Sequence, residues 1–254
     1  MVRSFSYTLL ITWILFFVSC KTTFVTTNLG SQNISVTENN YPIDSQLVQI
    51  YLPYKIILEK DMKRVISFSE SEMVKNKPES TLTNFLADLL LEEGTKELTS
   101  TNLNIRPEVS YINYGGIRTL LPKGEITVGK IFEIMPFENE MVFIQLTGEQ
   151  LQQFYDIVAE KGGEGVGGTR FAITNGKAKK VFVDGVKLEP ARKYWLVTSD
   201  YSANGGDGLE VFTKRSEFIN SGKKIRDIII SNLEERQKNE EKLVGKLDGR
   251  ITNE

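Results

Sequence analysis

The sequence predicts one α+β domain over residues 41–254, preceded by an export signal and a short tether. Three observations carry that expectation. Arg64–Ser69 alternates apolar and polar side chains with the period of a strand, and Val109–Asn113 and Met141–Leu146 also read as strands. Leu82, Phe85, Leu86, Leu89 and Leu90 share one face of a helix. From Tyr41 the globular pattern continues without an internal repeat.

Taken in order, Asp44 is placed to cap a helix through Leu47, Ile50 and Tyr51, which Pro53 is expected to kink or break. The strand at Arg64–Ser69 follows, then the helix carrying Leu82 to Leu90, with Gly94 as its expected stop. Val109–Asn113 runs into a turn at Tyr114-Gly115-Gly116. Thr127 caps a short helix from Val128 to Met135 that must end before Pro136. After the strand Met141–Leu146, Thr147-Gly148 opens a helix with Leu151, Phe154, Tyr155 and Val158 facing inward. The glycine run from Gly162 to Gly168 lacks the Gly-Lys-Ser/Thr of a phosphate loop and does not lead from a strand into a helix. It is therefore expected to be a flexible surface loop. Strands follow at Arg170–Thr174, Lys180–Val183 and Lys193–Ser199, with Asp184-Gly185 as a hairpin turn between the second and third. A helix from Lys223 to about Leu233 and a strongly charged tail from Glu234 complete the chain.

Composition narrows the chemistry. The 254 residues are 40% hydrophobic and 25% charged, which excludes a disordered or collagen-like chain. A net charge of −2 gives no general attraction to nucleic acid or to anionic lipid. There is no histidine, so Ser-His-Asp and Cys-His mechanisms and His-ligated metals are excluded. With a single cysteine, neither an intrachain disulfide nor a cysteine-rich zinc site can form. The acidic groups Glu92-Glu93 and Glu235, Glu240 and Glu241 read as solvated faces. The sequence thus assigns neither a catalytic residue nor a metal ligand to this chain.

At the N-terminus, Arg3 precedes an apolar run from Leu9 to Val18, the layout of a signal peptide over residues 1–19 and too short to span a bilayer. The run ends in Phe17-Val18-Ser19-Cys20, which resembles a bacterial lipobox with Phe in place of the usual Leu. That resemblance implies cleavage before Cys20, lipidation of its thiol, and membrane attachment in a bacterial cell envelope, facing the periplasm or the cell surface. Residues 20–40, rich in Thr, Ser and Asn, read as a tether.

Two segments have binding chemistry. Asn113-Tyr-Gly-Gly-Ile-Arg118 sets a polar side chain, a flexible turn and an arginine fork at a strand end. Ser199-Asp-Tyr-Ser-Ala-Asn-Gly-Gly-Asp-Gly208 sets Tyr201 and Asp207 across a glycine turn, where a carboxylate can accept from two ribose hydroxyls and a ring can stack on a base. On residue chemistry alone, both read more readily as turn-forming loops than as binding sites.

Together with Glu79-Ser-Thr-Leu-Thr-Asn-Phe-Leu-Ala-Asp88, Leu121-Pro-Lys-Gly-Glu-Ile-Thr127, Met135-Pro-Phe137, Val142-Phe-Ile-Gln-Leu-Thr-Gly148 and Gly249-Arg-Ile251, these segments resemble the C-terminal domain of bacterial and animal 5′-nucleotidases, including UDP-sugar hydrolases. The resemblance covers nearly all of 41–251 and implies a single domain of mixed β-sheets covered by helices. It further implies that Phe137 and Tyr201 sandwich a base, with Tyr where Phe is commoner. Asn113 would hydrogen-bond the base, Asp207 would accept from the ribose, and Arg118 would face the phosphate. Phe137 as a core aromatic is the alternative. The family's arginine ahead of the Glu-Ser-x-Leu motif is missing, and Lys75 or Lys77 is its candidate substitute. In the family, catalysis belongs to an N-terminal metallophosphatase domain with two metals, and its Asp-x-His and Gly-Asn-His motifs are absent here. The expectation is therefore a nucleotide-recognition subunit of a split 5′-nucleotidase. It would need no cofactor of its own, and a separate metallophosphatase chain would hold the divalent metals. The rival is a lipoprotein that binds nucleosides or nucleotides without hydrolysis.

Overall fold

The strand Glu140–Thr147 sends Met141 and Phe143 into one apolar cluster and Val142, Ile144 and Leu146 into another. A strand buried on both faces needs cover on both sides, and this fixes the layering of the fold.

The computed structural model describes residues 30, 33–35, 37, 43–101 and 105–254. The expected export signal, Cys20 and most of the expected tether lie outside the described residues. The chain divides into two units, Met1–Ile50 and Tyr51–Glu254. In chain order the elements are α1 (Ser45–Met62), β1 (Val65–Ser69), α2 (Thr81–Ser100), β2 (Val109–Ile112), β3 (Gly124–Thr127), α3 (Val128–Ile134), β4 (Glu140–Thr147), α4 (Gly148–Glu160) and β5 (Gly165–Gly167). They continue with β6 (Thr169–Thr174), β7 (Lys177–Val183), β8 (Val186–Lys187), β9 (Lys193–Ser199), α5 (Asp200–Ala203), β10 (Glu217–Lys224), α6 (Ile225–Lys238) and β11 (Ile251–Asn253).

The central sheet runs β10-β4-β9-β2-β5. One face packs against α2, α3 and α6 through Leu86, Ile131, Phe143, Val197 and Ile229. The other packs against α4 through Tyr111, Ile144, Phe154, Tyr155 and Leu196. A second sheet, β11-β6-β7-β8, closes over α4 with Phe171, Ala178 and Val181. Tyr111, Phe154 and Phe212 pack edge-on or tilted at 4.9–6.0 Å. This is the expected α+β architecture of mixed sheets covered by helices.

Capping explains the helix starts. Ser80 accepts from the N–H of Thr83 at the head of α2, Thr127 from Lys130 at α3, and Thr147 and Gln150 form a capping box at α4. Several boundaries differ from the sequence expectation. Pro53 does not break α1, which runs on to Met62. Gly94 does not stop α2. A Cβ there would meet Val197 Cγ2 at 3.0 Å and Phe143 Cε1 at 3.1 Å, so the glycine lets the helix approach the sheet. The Gly162–Gly168 stretch is not a surface loop, because Gly165–Gly167 form β5, buried and paired with β2. Asp184-Gly185 does turn a hairpin, with both residues at positive φ, but into the extra short strand β8 rather than into β9. β10 is also additional. The charged tail is partly ordered: α6 reaches Lys238 and β11 pairs in parallel with β6.

The tail also explains two motifs. Arg250, buried, donates to Asp88 Oδ1 and Oδ2 at 2.7 and 2.8 Å, to Asp248, and to the Val166 carbonyl. Gly249 N donates to Glu79 Oε1 at 2.9 Å. The Glu79–Asp88 and Gly249-Arg-Ile251 motifs are therefore two halves of one polar lock built around the buried Arg250.

Candidate functional site

Strand direction assembles the site. β2 and β9 are adjacent and parallel, pairing Val109 with Leu196 and Ser110 with Val197. Their carboxyl ends emerge side by side, the position where open sheets place ligands. β2 delivers Asn113–Arg118 and β9 delivers Asp200–Gly208. β4 runs antiparallel to β9, with Met141 opposite Ser199, so the Pro136–Asn139 approach to β4 lies at the same edge. β5 runs antiparallel to β2, with Gly165 opposite Ile112, and this brings Glu164 to that edge too.

These segments enclose a cavity of about 290 Å³ lined by Asn113, Gly115, Gly116, Arg118, Phe137, Asn139, Tyr201 and Asp207. All five residues singled out in the sequence meet here. Phe137 and Tyr201 are 47% and 46% exposed, so neither ring is spent on the core. Another cavity, of about 500 Å³ beside Glu93, Glu97 and Lys223, has no aromatic wall, and its Glu97 and Lys223 are already paired.

Asp207 is the hub. Its Oδ2 accepts from Asn113 Nδ2 at 2.8 Å and its Oδ1 from the Tyr201 hydroxyl at 3.1 Å. Its backbone is left-handed, at φ 55°. Asn113 is buried, and its amide N–H₂ serves Asp207, so the hydroxyl of Tyr201 and the amide of Asn113 both hold the carboxylate in place. Tyr201 is fixed from behind by Gly206, where a Cβ would come within 2.5 Å of the ring. The loop itself is tied down by Ser199, which accepts from Ser202 N, and by Asp200 Oδ1, which accepts from Tyr201 N and from Glu140 N.

Arg118 donates to the Gly115 carbonyl at 3.1 Å, with its guanidinium 5.9 Å from the Phe137 ring. Lys75 lies 4.1 Å over the Tyr114 ring and donates to the Tyr114 and Ile117 carbonyls at 3.1 and 2.6 Å. Lys77 lies 5.0 Å over the same ring. The Lys75 ammonium is held below the ordinary lysine range, first by burial and then by the charges of Arg118 and Lys77. Cationic density therefore gathers beside Tyr114, but neither lysine lines the cavity, and Lys75 spends two N–H donors on carbonyls.

Sequence reasoning missed Asn139, Glu164 and Lys161. Asn139 sits two residues beyond Phe137 in the irregular approach to β4, and both line the cavity. Glu164 is 6% exposed. Its Oε2 accepts from the Tyr111 hydroxyl at 2.6 Å and from Tyr114 N at 3.0 Å. Burial, then the Glu164 charge, pushes the Tyr111 phenol well above its usual range, so it stays a donor. No group of three or more His, Cys, Asp or Glu side chains among the described residues is placed to hold a metal.

The chain matches the family 5′-nucleotidase, C-terminal domain, over residues 60–214. It is 28% identical to a 5′-nucleotidase of Vibrio vulnificus over 122 residues, 46% of this chain and 22% of that protein. It is 30% identical to the trifunctional nucleotide phosphoesterase protein YfkN of Bacillus subtilis over 198 residues, 72% of this chain and 13% of that protein. The chain thus spans under a quarter of these curated relatives. Among solved structures, a 5′-nucleotidase precursor from Thermus thermophilus superposes with a TM-score of 0.67 at 26% identity, covering 85% of this chain and 44% of that one. The Haemophilus influenzae NAD nucleotidase shares the fold, with a TM-score of 0.62 at 16% identity over 83% of this chain and 42% of that one.

Proposed function

Because the chain belongs to the 5′-nucleotidase C-terminal domain family, we propose that it is the nucleotide-recognition part of a split 5′-nucleotidase or UDP-sugar hydrolase. The carrying observation is the convergence of Phe137, Tyr201, Asp207, Arg118 and Asn113 on one cavity. In this reading a base enters between the two exposed rings, where stacking contributes ~1–3 kcal/mol. Asp207, already oriented by Tyr201 and Asn113, accepts from the ribose hydroxyls. Asn139 and the free carbonyl of the Asn113 amide face the base, and Arg118 attracts the phosphate. Hydrolysis needs water activated by metal, and a separate metallophosphatase chain supplies it. Lipidation at Cys20 would hold this chain to a membrane of the bacterial envelope, where that partner would meet it.

A second reading is a binding lipoprotein without hydrolysis: the cavity already gathers two aromatic rings, a carboxylate and an arginine, a set sufficient for capture. Phosphate release from AMP, UMP and UDP-glucose separates the two. The full-length protein alone is expected to release none with Mg²⁺, Mn²⁺ or Zn²⁺. Adding it to an envelope metallophosphatase chain that lacks this domain is expected to lower KM, whereas the Tyr201→Ala protein leaves KM unchanged. Binding without any effect on the phosphatase would favour the second reading, and turnover by this chain alone would overturn both.

A further inference from the structure

The Gly162–Gly168 stretch, which carries no phosphate-loop chemistry, holds Glu164, the one buried carboxylate among the described residues, which bonds the turn beside the site. Glu164 bonds the 113–116 turn through Tyr114 N and bonds β2 through the Tyr111 hydroxyl. Its other oxygen lies 3.3 Å from Lys161 Nζ. Lys161 follows the last turn of α4, and its Nζ crosses to donate to the backbone carbonyl of Asp207 at 2.8 Å. The chain of contacts Tyr114–Glu164–Lys161–Asp207 therefore links the two loops from beneath, while Asn113–Asp207 links them inside the cavity. A left-handed residue persists where its surroundings over-determine it, and Asp207 is held by all three of its oxygens. A lysine at a helix C-terminus has an ordinary role toward the helix dipole. That role does not require reaching a residue 46 positions away.

We infer that Lys161 and Glu164 form a positioning clamp that sets the left-handed geometry of Asp207 and, through it, the site's affinity for ribose. The second half of this statement rests on the nucleotide-binding reading; the first does not. Neither residue lines the cavity, so the pair acts through Asp207 rather than on the ligand.

The test uses the full-length chain as wild type, Lys161→Met, Lys161→Arg and Glu164→Gln. Lys161 is part-exposed at the surface, so Lys161→Met keeps the stem and removes the ammonium, both as donor to Asp207 and as the charge facing Glu164. Glu164→Gln keeps the volume but changes a buried charge, and serves as the second variant. Amide hydrogen exchange of residues 204–209 and 113–117 is measured without ligand, then affinity for adenosine and for 2′,3′-dideoxyadenosine. Lys161→Met is expected to speed exchange in both segments by about tenfold, equivalent to ~1.4 kcal/mol of lost local protection. It should also weaken adenosine about tenfold while leaving dideoxyadenosine within about twofold. Lys161→Arg should restore both. A general packing defect would weaken both ligands alike. Unchanged exchange in Lys161→Met and Glu164→Gln would overturn the clamp whatever the ligand does. Faster exchange with sugar discrimination retained would overturn its role in ribose affinity. A wild-type chain that does not distinguish the two nucleosides would overturn the nucleotide reading and the ribose half with it, while the exchange result still decides the clamp.

Discussion

Gly206→Ala separates the wall of the cavity from the stability of the fold. The Cβ it adds would stand 2.5–2.7 Å from three atoms of the Tyr201 ring, closer than carbon atoms tolerate. The ring, 46% exposed, has solvent to move into, so it swings away and the backbone stays. Two interactions go with it. Stacking is worth ~1–3 kcal/mol, and the hydroxyl that orients Asp207 Oδ1 donates to a charged acceptor, a bond worth ~1.5–3 kcal/mol net. These terms overlap, and a combined loss of ~2 kcal/mol corresponds to roughly 30-fold weaker binding. Replacing glycine by alanine also removes unfolded-state freedom worth ~0.4–1 kcal/mol, which offsets residual strain. Calorimetric titration with AMP should show the loss in affinity, while thermal unfolding should move by no more than ~4 °C, about 1 kcal/mol for a domain of this size. Affinity within twofold of wild type would refute the argument that the Tyr201 ring, held by Gly206, forms the wall.

Tyr201→Phe keeps the ring but leaves Asp207 with one side-chain donor, so ribonucleotide affinity should fall roughly 3–10-fold by titration, for ~0.7–1.4 kcal/mol, and dideoxynucleotide affinity should not. Gly94→Ala presses Val197 and Phe143 and should lower stability by ~1–3 kcal/mol in urea unfolding, without altering the relative affinities for AMP and its dideoxy analogue. Arg250 holds the Asp248 carboxyl below its ordinary range, through a hydrogen bond first. A folded-state pKa below the unfolded one adds stability above pH ~4 and loses it as pH falls through the folded value. Asp248→Asn should therefore flatten the acid limb of a stability-against-pH curve below pH ~4 and lower stability near neutrality.

How much of this was legible in the sequence depends on how far apart the contacts lie. Local signals held. Thr127, Thr147 and the alternation at Arg64–Ser69 start the elements where they should. Phe137, Tyr201, Asp207, Arg118 and Asn113 stand out in the sequence by their chemistry and family spacing, and one cavity gathers them. Long-range contacts overrode local readings. Gly94 reads as a stop, but its role is contact with β4 and β9, which lie far along the chain. A glycine run reads as a loop, yet pairing with β2 makes Gly165–Gly167 a buried strand and buries Glu164. Nothing local marks Glu164 as buried, since its partners Tyr111 and Tyr114 lie about fifty residues earlier. Parallel pairing of β2 with β9 brings the two site loops together, and no local pattern encodes it.

The most direct test of the central claim is the titration of the full-length chain with AMP and with 2′,3′-dideoxy-AMP, for wild type and Asp207→Ala. The account predicts saturable binding by the wild type, at least about tenfold weaker for the dideoxy analogue, as expected for losing ~1.4 kcal/mol of hydrogen bonding to a carboxylate. Asp207→Ala should bind both ligands equally and weakly. Saturable wild-type binding that ignores the ribose hydroxyls, or no binding at all, would contradict it.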